Sequence, residues 1–235
     1  MEKCVTLHTQ RAVNIVTRDT VYEELLVRKY KDICGVADIL GYAKRSSIEW
    51  AMDLDIAKEG FRYISCNRHN YPIGINMSGS TIQRIDIANR VMELASEFGV
   101  KPSEYVIEVS EHTTFTPIAV KNIETFKSNG VKIAIDDFGA GKANIVQVAD
   151  GLMDIVKIDR ELIVGIGTKE KEGRYIALEG IYNICERIKC DTIVEGIETE
   201  AELSEVSRIG FKVVQGFLFD IPKVVEYDMS NMRAV

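Results

Sequence analysis

Short apolar runs alternate with longer segments of helical periodicity along most of this chain. A short apolar run bounded by turn residues is typical of a buried strand, whereas apolar residues spaced by three and four positions are typical of an amphipathic helix. The runs that predict strands are 5–10, 21–28, 73–77, 105–109, 131–135, 154–158, 192–194 and 213–215. The segments that predict helices are 48–58, 81–98, 118–128, 144–149, 175–188 and 200–209.

Regular alternation of strands and helices is typical of parallel strands joined by helical crossovers. The link 17–20 between the first two predicted strands has no helix and is short enough for an antiparallel hairpin. The pattern therefore predicts an α/β fold, a modified TIM-like (β/α)8 barrel whose first strand is antiparallel. Ser46 and Ser47 are expected to cap the helix that follows them, and segment 29–45 shows no clear pattern.

The chain has 235 residues, of which 46% are hydrophobic, so it can bury one core of barrel size. No linker or low-complexity segment divides it, and we expect a single domain over residues 1–235. The net charge of −7 argues against a nucleic acid polymer as partner. Membrane insertion is not expected, because the sequence has no apolar run of ~20 residues. Five cysteines without a Cys-x-x-Cys pair predict reduced thiols and a cytoplasmic protein.

Polar side chains interrupt the predicted strands, each near the carboxyl end of its strand. They are Glu24, Asn76, Glu108, Asp136, Asp137, Lys157, Glu195 and Gln215. Taken alone, Asp136 and Asp137 could be an exposed turn, and Lys157 an ion-paired strand residue. Because strand ends of this kind meet at one face of a (β/α) barrel, their recurrence favours a shared active site.

The chemistry of these side chains points to a metal. Five of them are carboxylates, while His8, His69 and His112 are scattered along the chain. Oxygen ligands without clustered His or Cys favour Mg²⁺ or Mn²⁺ over zinc. The sequence therefore predicts metal-assisted hydrolysis of a phosphate ester.

Several short motifs follow one another in a recognisable order. They are ELLVR at 24–28, INMS at 75–78, IEVSE at 107–111, DDFGAG at 136–141, VKIDR at 156–160, VEGIET at 194–199 and QGFLF at 215–219. The ordered set resembles the EAL domain, a family of bacterial cyclic-di-GMP phosphodiesterases. Glu23 competes for the first motif position, but only Glu24 preserves the spacing to Leu26 and Arg28.

The resemblance implies a role for each matching residue. Metal ligands would be Glu24, Asn76, Glu108 and Asp136 for one ion and Asp137 for the second. Lys157 would orient the nucleophilic water, and Glu195 would act as general base or as a ligand of the second metal. Arg28 would bind a substrate phosphate and Gln215 would line the site. Glu111 and Glu198 would stabilise the loop after Asp137.

The resemblance further implies hydrolysis of cyclic di-GMP to linear pGpG with one or two Mg²⁺ or Mn²⁺ ions. It also implies a homodimer to which helix 144–149 contributes. Which regulatory protein partner, if any, binds the chain is unknown from the sequence.

Two segments depart from the family pattern. Segment 29–45 is shorter and lacks the Arg-His-Pro sequence that lies along the nucleotide, and Lys142-Ala143-Asn144 replaces the usual Tyr-Ser-Ser. Three hypotheses follow: an active cyclic-di-GMP phosphodiesterase, a non-catalytic cyclic-di-GMP receptor or protein-interaction module of the same fold, and a metal-dependent phosphodiesterase acting on another nucleotide.

Overall fold

The computed structural model describes residues 5–67, 69–141, 145–168 and 171–232. The strands are β1 Val5–Asn14, β2 Thr20–Tyr30, β3 Ile33–Cys34, β4 Ile73–Met77, β5 Tyr105–Ser110, β6 Lys132–Phe138, β7 Ile155–Ile158, β8 Asp191–Val194, β9 Val213–Gln215 and β10 Lys223–Val224. The helices are α1 Val36–Arg45, α2 Glu49–Cys66, α3 Gly79–Ile82, α4 Ile87–Ser96, α5 Pro117–Ser128, α6 Ile145–Ala149, α7 Arg160–Ile163, α8 Glu172–Ile188 and α9 Glu200–Ile209.

Eight of these strands close into a barrel. The order runs β1-β9-β8-β7-β6-β5-β4-β2, and pairing of β1 with β2 closes the ring. Strands β2 and β4 to β9 are parallel neighbours, whereas β1 is antiparallel to both β2 and β9. The predicted modified (β/α)8 barrel with an antiparallel first strand is therefore confirmed. The two short strands outside the ring, β3 and β10, pair with β2 and β1 respectively.

The main core lies between the barrel and its helices. Outward-facing strand residues such as Ile75 and Ile107 pack with helix residues such as Phe61 and Phe126, and all four are fully buried. Burying apolar surface on this scale is the main stabilising contribution to such a fold. No helix in the described ranges combines the length and apolar character needed to cross a membrane.

The segment without a clear sequence pattern, 29–45, is ordered as the end of β2, the short strand β3 and helix α1. Strand β3 folds back on β2, with Lys29 opposite Cys34 and Tyr30 opposite Ile33. Strand β2 is therefore longer than predicted. Glu24 lies in its middle rather than late in the strand, because β2 continues to Tyr30 through its pairing with β1 and β3.

The predicted serine cap is wrong. Ser46 ends α1, and its backbone N–H donates to the Tyr42 carbonyl oxygen. Ser47 has a left-handed backbone with φ of 54°, and Ile48 occupies the N-cap position of α2 without a side-chain cap. The sequence showed a cap-forming residue type, but it could not show that a second helix ends at the same place.

The predicted single helix over 81–98 is interrupted. Helix α3 ends at Ile82, and α4 starts at Ile87 after Asp86, whose φ is 60°. The Asn122 side chain donates hydrogen bonds of 2.8 Å to the carbonyl oxygens of both Ile82 and Arg84, so it satisfies acceptors that a helix ending here leaves unpaired. Ile85, which was expected on the apolar face, is 78% exposed.

Helix α2 continues to Cys66, well beyond its predicted end at residue 58, and α8 starts at Glu172 rather than at residue 175. The remaining predicted helices lie where expected. Helix α6 begins at Ile145. The unusual residues Lys142, Ala143 and Asn144 lie outside the described residues.

Candidate active site

The barrel interior has two layers. The lower one is apolar and contains Ala12, Tyr22, Val106, Ala134, Ile155 and Ile193. A second layer, made of polar side chains, lies at the carboxyl end of the parallel strands, two residues along each strand from the first layer. Its members are Gln10, Glu24, Asn76, Glu108, Asp136, Lys157, Glu195 and Gln215. Side chains two residues apart on a strand share a face, so one face of each strand supplies both layers.

Lys157 lies at the centre of the polar layer. It is fully buried, and its Nζ atom forms ion pairs with four carboxylates. The distances are 3.1 Å to Glu24, 2.6 Å to Glu108, 2.7 Å to Asp136 and 2.9 Å to Glu195. The structure thus brings together side chains from β2, β5, β6, β7 and the residue after β8.

Amide side chains complete the ring around Glu24. Asn76 Nδ2 lies 3.2 Å from Glu24 Oε1, and Gln215 Nε2 donates to Glu24 Oε2 at 2.9 Å. Gln215 Nε2 also lies 3.3 Å from Gln10 Oε1. The Gln215 Oε1 atom is buried and has no hydrogen-bond partner within the described ranges. An unsatisfied buried acceptor beside a carboxylate cluster is consistent with a ligand or ion at this position.

Asp136 and Asp137 are adjacent, yet both carboxylates reach the site. In a regular strand they would point to opposite faces. Here the register between β6 and β7 shifts between Ile135 and Phe138, and Asp137 has a left-handed backbone with φ of 56°. A residue inserted in this way re-aims a side chain, as β-bulges near active sites do.

The loop that follows Asp137 is tied to β5 by Glu111. The Glu111 side chain is fully buried, and its Oε2 accepts a 3.0 Å hydrogen bond from the Gly139 backbone N–H. Its own backbone N–H donates to the Asp136 carbonyl oxygen at 2.9 Å. These two contacts hold the chain on both sides of Asp137.

Glu198 lies elsewhere at the barrel mouth. Its carboxylate pairs with Arg160 at 2.6 Å, and the same guanidinium donates to the Gly196 carbonyl oxygen at 2.6 Å. Gly196 has φ of 69°, and a Cβ there would lie 2.5 Å from the Arg160 Cβ. Glu198 thus holds Arg160 at the barrel mouth, and its role in stabilising the loop after Asp137 stays a prediction.

A cavity of about 240 Å³ opens over the polar layer. Its lining includes Gln10, Glu24, Asp136, Asp137, Arg160, Glu195, Gln215 and Phe217. A larger cavity, about 560 Å³, lies at the opposite end of the barrel and contacts none of these carboxylates. The chemistry-bearing groups therefore identify the smaller cavity as the candidate active site.

Burial and crowding shift the ionisation of this cluster. Burial raises the pKa of Glu108 to about 8, with the charges of Glu24 and Asp136 adding to it despite Lys157. Burial and then Asp136 raise the pKa of Asp137 to about 6. The pKa of Glu195 is raised well above its usual range, mainly by burial and then by Asp136.

Glu24 and Lys157 shift toward their charged forms. Burial opposes ionisation of Glu24, but Lys157 and the amide donor of Gln215 outweigh it and lower its pKa. Burial likewise opposes the charge on Lys157, yet the surrounding carboxylates raise its pKa well above the usual value. A single ammonium group thus faces more carboxylates than it can neutralise.

The donor set fits divalent cations. Glu24, Glu108 and Asp136 each offer an oxygen atom, and these three atoms lie within 4.8 Å of one another. Asp136, Asp137 and Glu195 form a second such group. Asp136 belongs to both groups, as expected of a carboxylate between two metal positions, and oxygen-only donors suit Mg²⁺ or Mn²⁺.

Arg28 is not brought to the cluster. Its Nη1 atom donates to the Val27 carbonyl oxygen at 3.1 Å, and within the described ranges no hydrogen bond or ion pair joins it to the carboxylates. It lies further along β2, on the part of the strand that pairs with β1 and not with β4.

Sequence reasoning assigned no role to Gln10 of the polar layer, and it missed three further residues of the site. Tyr22 donates to Glu108 from the apolar layer, Gly74 leaves space for that contact, and Arg160 is a cation at the mouth. Tyr22 and Gly74 sit among apolar strand residues, so only their position two residues before Glu24 and Asn76 could have drawn attention to them. Arg160 stood in a quoted motif without an assigned role.

Comparison with known proteins agrees with this geometry. The family model described as "EAL domain" matches residues 3–222. The chain is 24% identical over 209 residues to "Probable cyclic di-GMP phosphodiesterase PdeA" of Escherichia coli strain K12, a match that covers 86% of this chain and 28% of that protein. It is 29% identical over 156 residues to "Cyclic di-GMP phosphodiesterase TpdA" of Vibrio parahaemolyticus, covering 64% of this chain and 26% of that protein. The chain thus spans roughly a third or less of the length of these curated relatives.

Solved structures share the fold. "Klebsiella pneumoniae BlrP1 pH 9.0 manganese/cy-diGMP complex" matches with a TM-score of 0.87 and 23% identity over 96% of this chain and 58% of that one. An EAL domain protein from Listeria monocytogenes EGD-e matches with a TM-score of 0.83 and 24% identity over 94% of this chain and 89% of that one. With the family match over nearly its whole length, this chain belongs to the EAL domain family.

Proposed function

We propose that this chain hydrolyses cyclic di-GMP to linear pGpG with the help of one or two Mg²⁺ or Mn²⁺ ions. The observation that carries the proposal is the pair of carboxylate groups sharing Asp136 around the buried Lys157. Relatives named as cyclic di-GMP phosphodiesterases and a related structure described as a manganese and cyclic-di-GMP complex support the choice of substrate and metal.

The carboxylate and amide side chains of the polar layer would bind the cations. The oxygen atoms of Glu24, Asn76, Glu108 and Asp136 would hold one cation, and those of Asp136 and Asp137 a second. Glu195 would either complete the second site or act as the general base. Divalent cations bound in this way neutralise phosphoryl oxygens and lower the pKa of water.

Lys157 and Glu195 would handle the attacking water. The ammonium group of Lys157 has three N–H donors and already contacts four carboxylates, so a carboxylate drawn onto a cation would free a donor for the water. Glu195 lies 2.9 Å from that ammonium and lines the cavity, so its carboxylate can accept the proton that the water loses.

The mouth of the cavity would receive the anionic substrate. Arg160 lies there, held by Glu198, and would offset phosphate charge. Arg28 remains a proposed phosphate ligand; its guanidinium would have to leave the Val27 carbonyl oxygen to reach a substrate over the cavity.

A second function is favoured by one observation. The segment expected to lie along the nucleotide forms β3 and α1, and within the described ranges no hydrogen bond or ion pair joins Arg28 to the cluster. A chain of this kind could bind cyclic di-GMP without turnover, or bind a partner protein.

Cellular context and assembly belong to the same proposal. The four cysteines that the structure describes are not disulfide-bonded, which supports the cytoplasm as its location. The proposal extends to a homodimer to which α6, where Ile145 and Val146 are both exposed, would contribute.

The test is turnover of cyclic di-GMP by the purified chain with Mn²⁺ or Mg²⁺, followed as pGpG by chromatography. We expect Glu195→Gln to lower kcat by about 10²–10⁴-fold, as loss of a general base does. Glu161→Gln, on the exposed side of α7, is the matched control and should leave kcat unchanged. Tight nucleotide binding without pGpG would instead establish the receptor. Neither binding nor turnover by the folded protein would overturn both cyclic-di-GMP functions and leave another nucleotide substrate or a protein-interaction role.

A further inference from the structure

A buried hydrogen bond joins the two layers of the barrel. The Tyr22 hydroxyl donates to Glu108 Oε1 at 2.6 Å. Tyr22 is 2% exposed and Glu108 is 1% exposed, so water does not compete for this contact. A distance of this size is typical of a charge-assisted O–H···O⁻ hydrogen bond, which is stronger than a neutral one.

Gly74 on the neighbouring strand makes the contact sterically possible. A Cβ atom at Gly74 would lie 1.8 Å from Glu108 Oε1 and 2.2 Å from the Tyr22 hydroxyl oxygen. Both distances are far below van der Waals contact, so any side chain here would displace the pair. The Tyr22 hydroxyl and the Glu108 carboxylate therefore occupy the space that a side chain at position 74 would fill.

The consequence for Glu108 is a division between its two oxygens. Oε1 accepts from Tyr22, while Oε2 faces the cluster and pairs with Lys157 at 2.6 Å. The aromatic ring of Tyr22 packs among apolar side chains from five other strands, which fixes the hydroxyl in place. Glu108 is thus held in one orientation from below.

We propose that Tyr22, accommodated by Gly74, is a positioning residue that leaves Glu108 only one oxygen for the cation site. The inference rests on the proposed function, because it concerns the same metal position. Loss of a hydrogen-bond partner that orients a metal-ligating carboxylate typically lowers metal affinity about 10–100-fold. A carboxylate limited to one oxygen suits Mg²⁺ and Mn²⁺ better than Ca²⁺, which readily takes both oxygens of a carboxylate.

The experiment is titration of the protein with MnCl₂ and, separately, CaCl₂ by isothermal calorimetry. Tyr22→Phe removes the hydroxyl and keeps the ring. We expect the Kd for Mn²⁺ to rise about 10-fold, while the Kd for Ca²⁺ rises less, so that the preference for Mn²⁺ narrows. The matched control is Tyr63→Phe, which removes another buried tyrosine–glutamate hydrogen bond, 3.2 Å from Tyr63 to Glu23, away from the cluster.

A double-mutant cycle separates positioning from a general effect on folding. In a Glu108→Gln background, Tyr22→Phe should no longer alter the Kd for Mn²⁺, because the carboxylate it orients is absent. Equal weakening of both ions, an effect no larger than that of Tyr63→Phe, or an effect that persists without the Glu108 carboxylate would overturn the inference alone. If the unsubstituted protein bound no Mn²⁺, the proposed metal-dependent function would fall together with it.

Discussion

The two interior layers of the barrel are built on the same strand faces, yet they have opposite chemistry. Ile155 and Lys157 lie two residues apart on β7, and Val106 and Glu108 lie two residues apart on β5. In both strands the first residue packs among apolar side chains and the second joins the carboxylate cluster. Facing the interior is therefore not what makes a position apolar.

Depth along the barrel axis decides instead. The upper layer borders a cavity that opens at the carboxyl end of the strands, so charged groups there can be matched by ions or substrate. The antiparallel strand β1 shows the same rule in reverse, because Gln10 precedes Ala12 along the chain. The layers are properties of the barrel and not of strand direction.

Removing the central cation should have the largest effect. Lys157→Met leaves the buried carboxylates around it without their ammonium partner, so we expect a loss of about 3–5 kcal/mol in the free energy of unfolding. Urea denaturation in EDTA measures it. The control is Lys132→Met, whose ion pair with Asp191 is exposed and is expected to be worth about 1 kcal/mol or less. Equal losses in the two variants would contradict a polar layer organised by Lys157.

The metal-free polar layer should also become less stable as the pH rises. Glu108 has its pKa raised to about 8 and Asp137 to about 6, so the folded protein holds protons that the unfolded chain has released. The stability that these protons contribute is fully present below the carboxyl pKa of the unfolded chain, which is about 4. It is lost as the pH rises toward the carboxyl pKa of the folded protein.

Between pH 5 and pH 8 we therefore expect the EDTA-treated protein to lose about 1.4 kcal/mol or more, the equivalent of one pKa unit. Saturating Mn²⁺ should remove most of this loss, since the ion takes the place of the protons. Thermal denaturation across this pH range, with and without Mn²⁺, measures both. A stability that rises with pH in EDTA would be incompatible with the raised carboxyl pKa values.

The smallest effect is expected in the apolar layer. Ile155→Val removes one methylene group from a buried position directly below Lys157, and should cost about 0.5–1.5 kcal/mol of stability. It should leave the Kd for Mn²⁺ unchanged, because Ile155 contributes packing and, unlike Tyr22, has no polar atom to hydrogen-bond to a ligand. A change in metal affinity comparable to that of Tyr22→Phe would mean that packing in the lower layer, and not the Tyr22 hydroxyl alone, controls the metal site.

Much of this arrangement could be predicted from the sequence. Alternation of strands and helices was enough for the barrel, and single charged residues within apolar runs were enough to group Glu24, Glu108 and Lys157. Both inferences use local patterns, since strand periodicity and the cost of an unpaired buried charge are readable from a few neighbouring residues.

What could not be predicted depends on contacts between distant segments. The break between α3 and α4 is stabilised by Asn122 from another helix, and the space at Gly74 has meaning only beside Tyr22 and Glu108. The shared orientation of Asp136 and Asp137 likewise depends on a register shift against β7. In each case tertiary structure overrides the local preference.

Closure of the barrel determines when the carboxylate cluster can assemble during folding. Ala12 pairs with Gln215, so the last seam joins segments from opposite ends of the described chain. Contacts of such long sequence separation incur the entropy of ordering everything between them, and they are slow to form. During synthesis the acidic residues of β2, β5 and β6 leave the ribosome well before Gln215 does. The carboxylate cluster therefore stays incompletely assembled until β9, the last strand of the barrel, has been made.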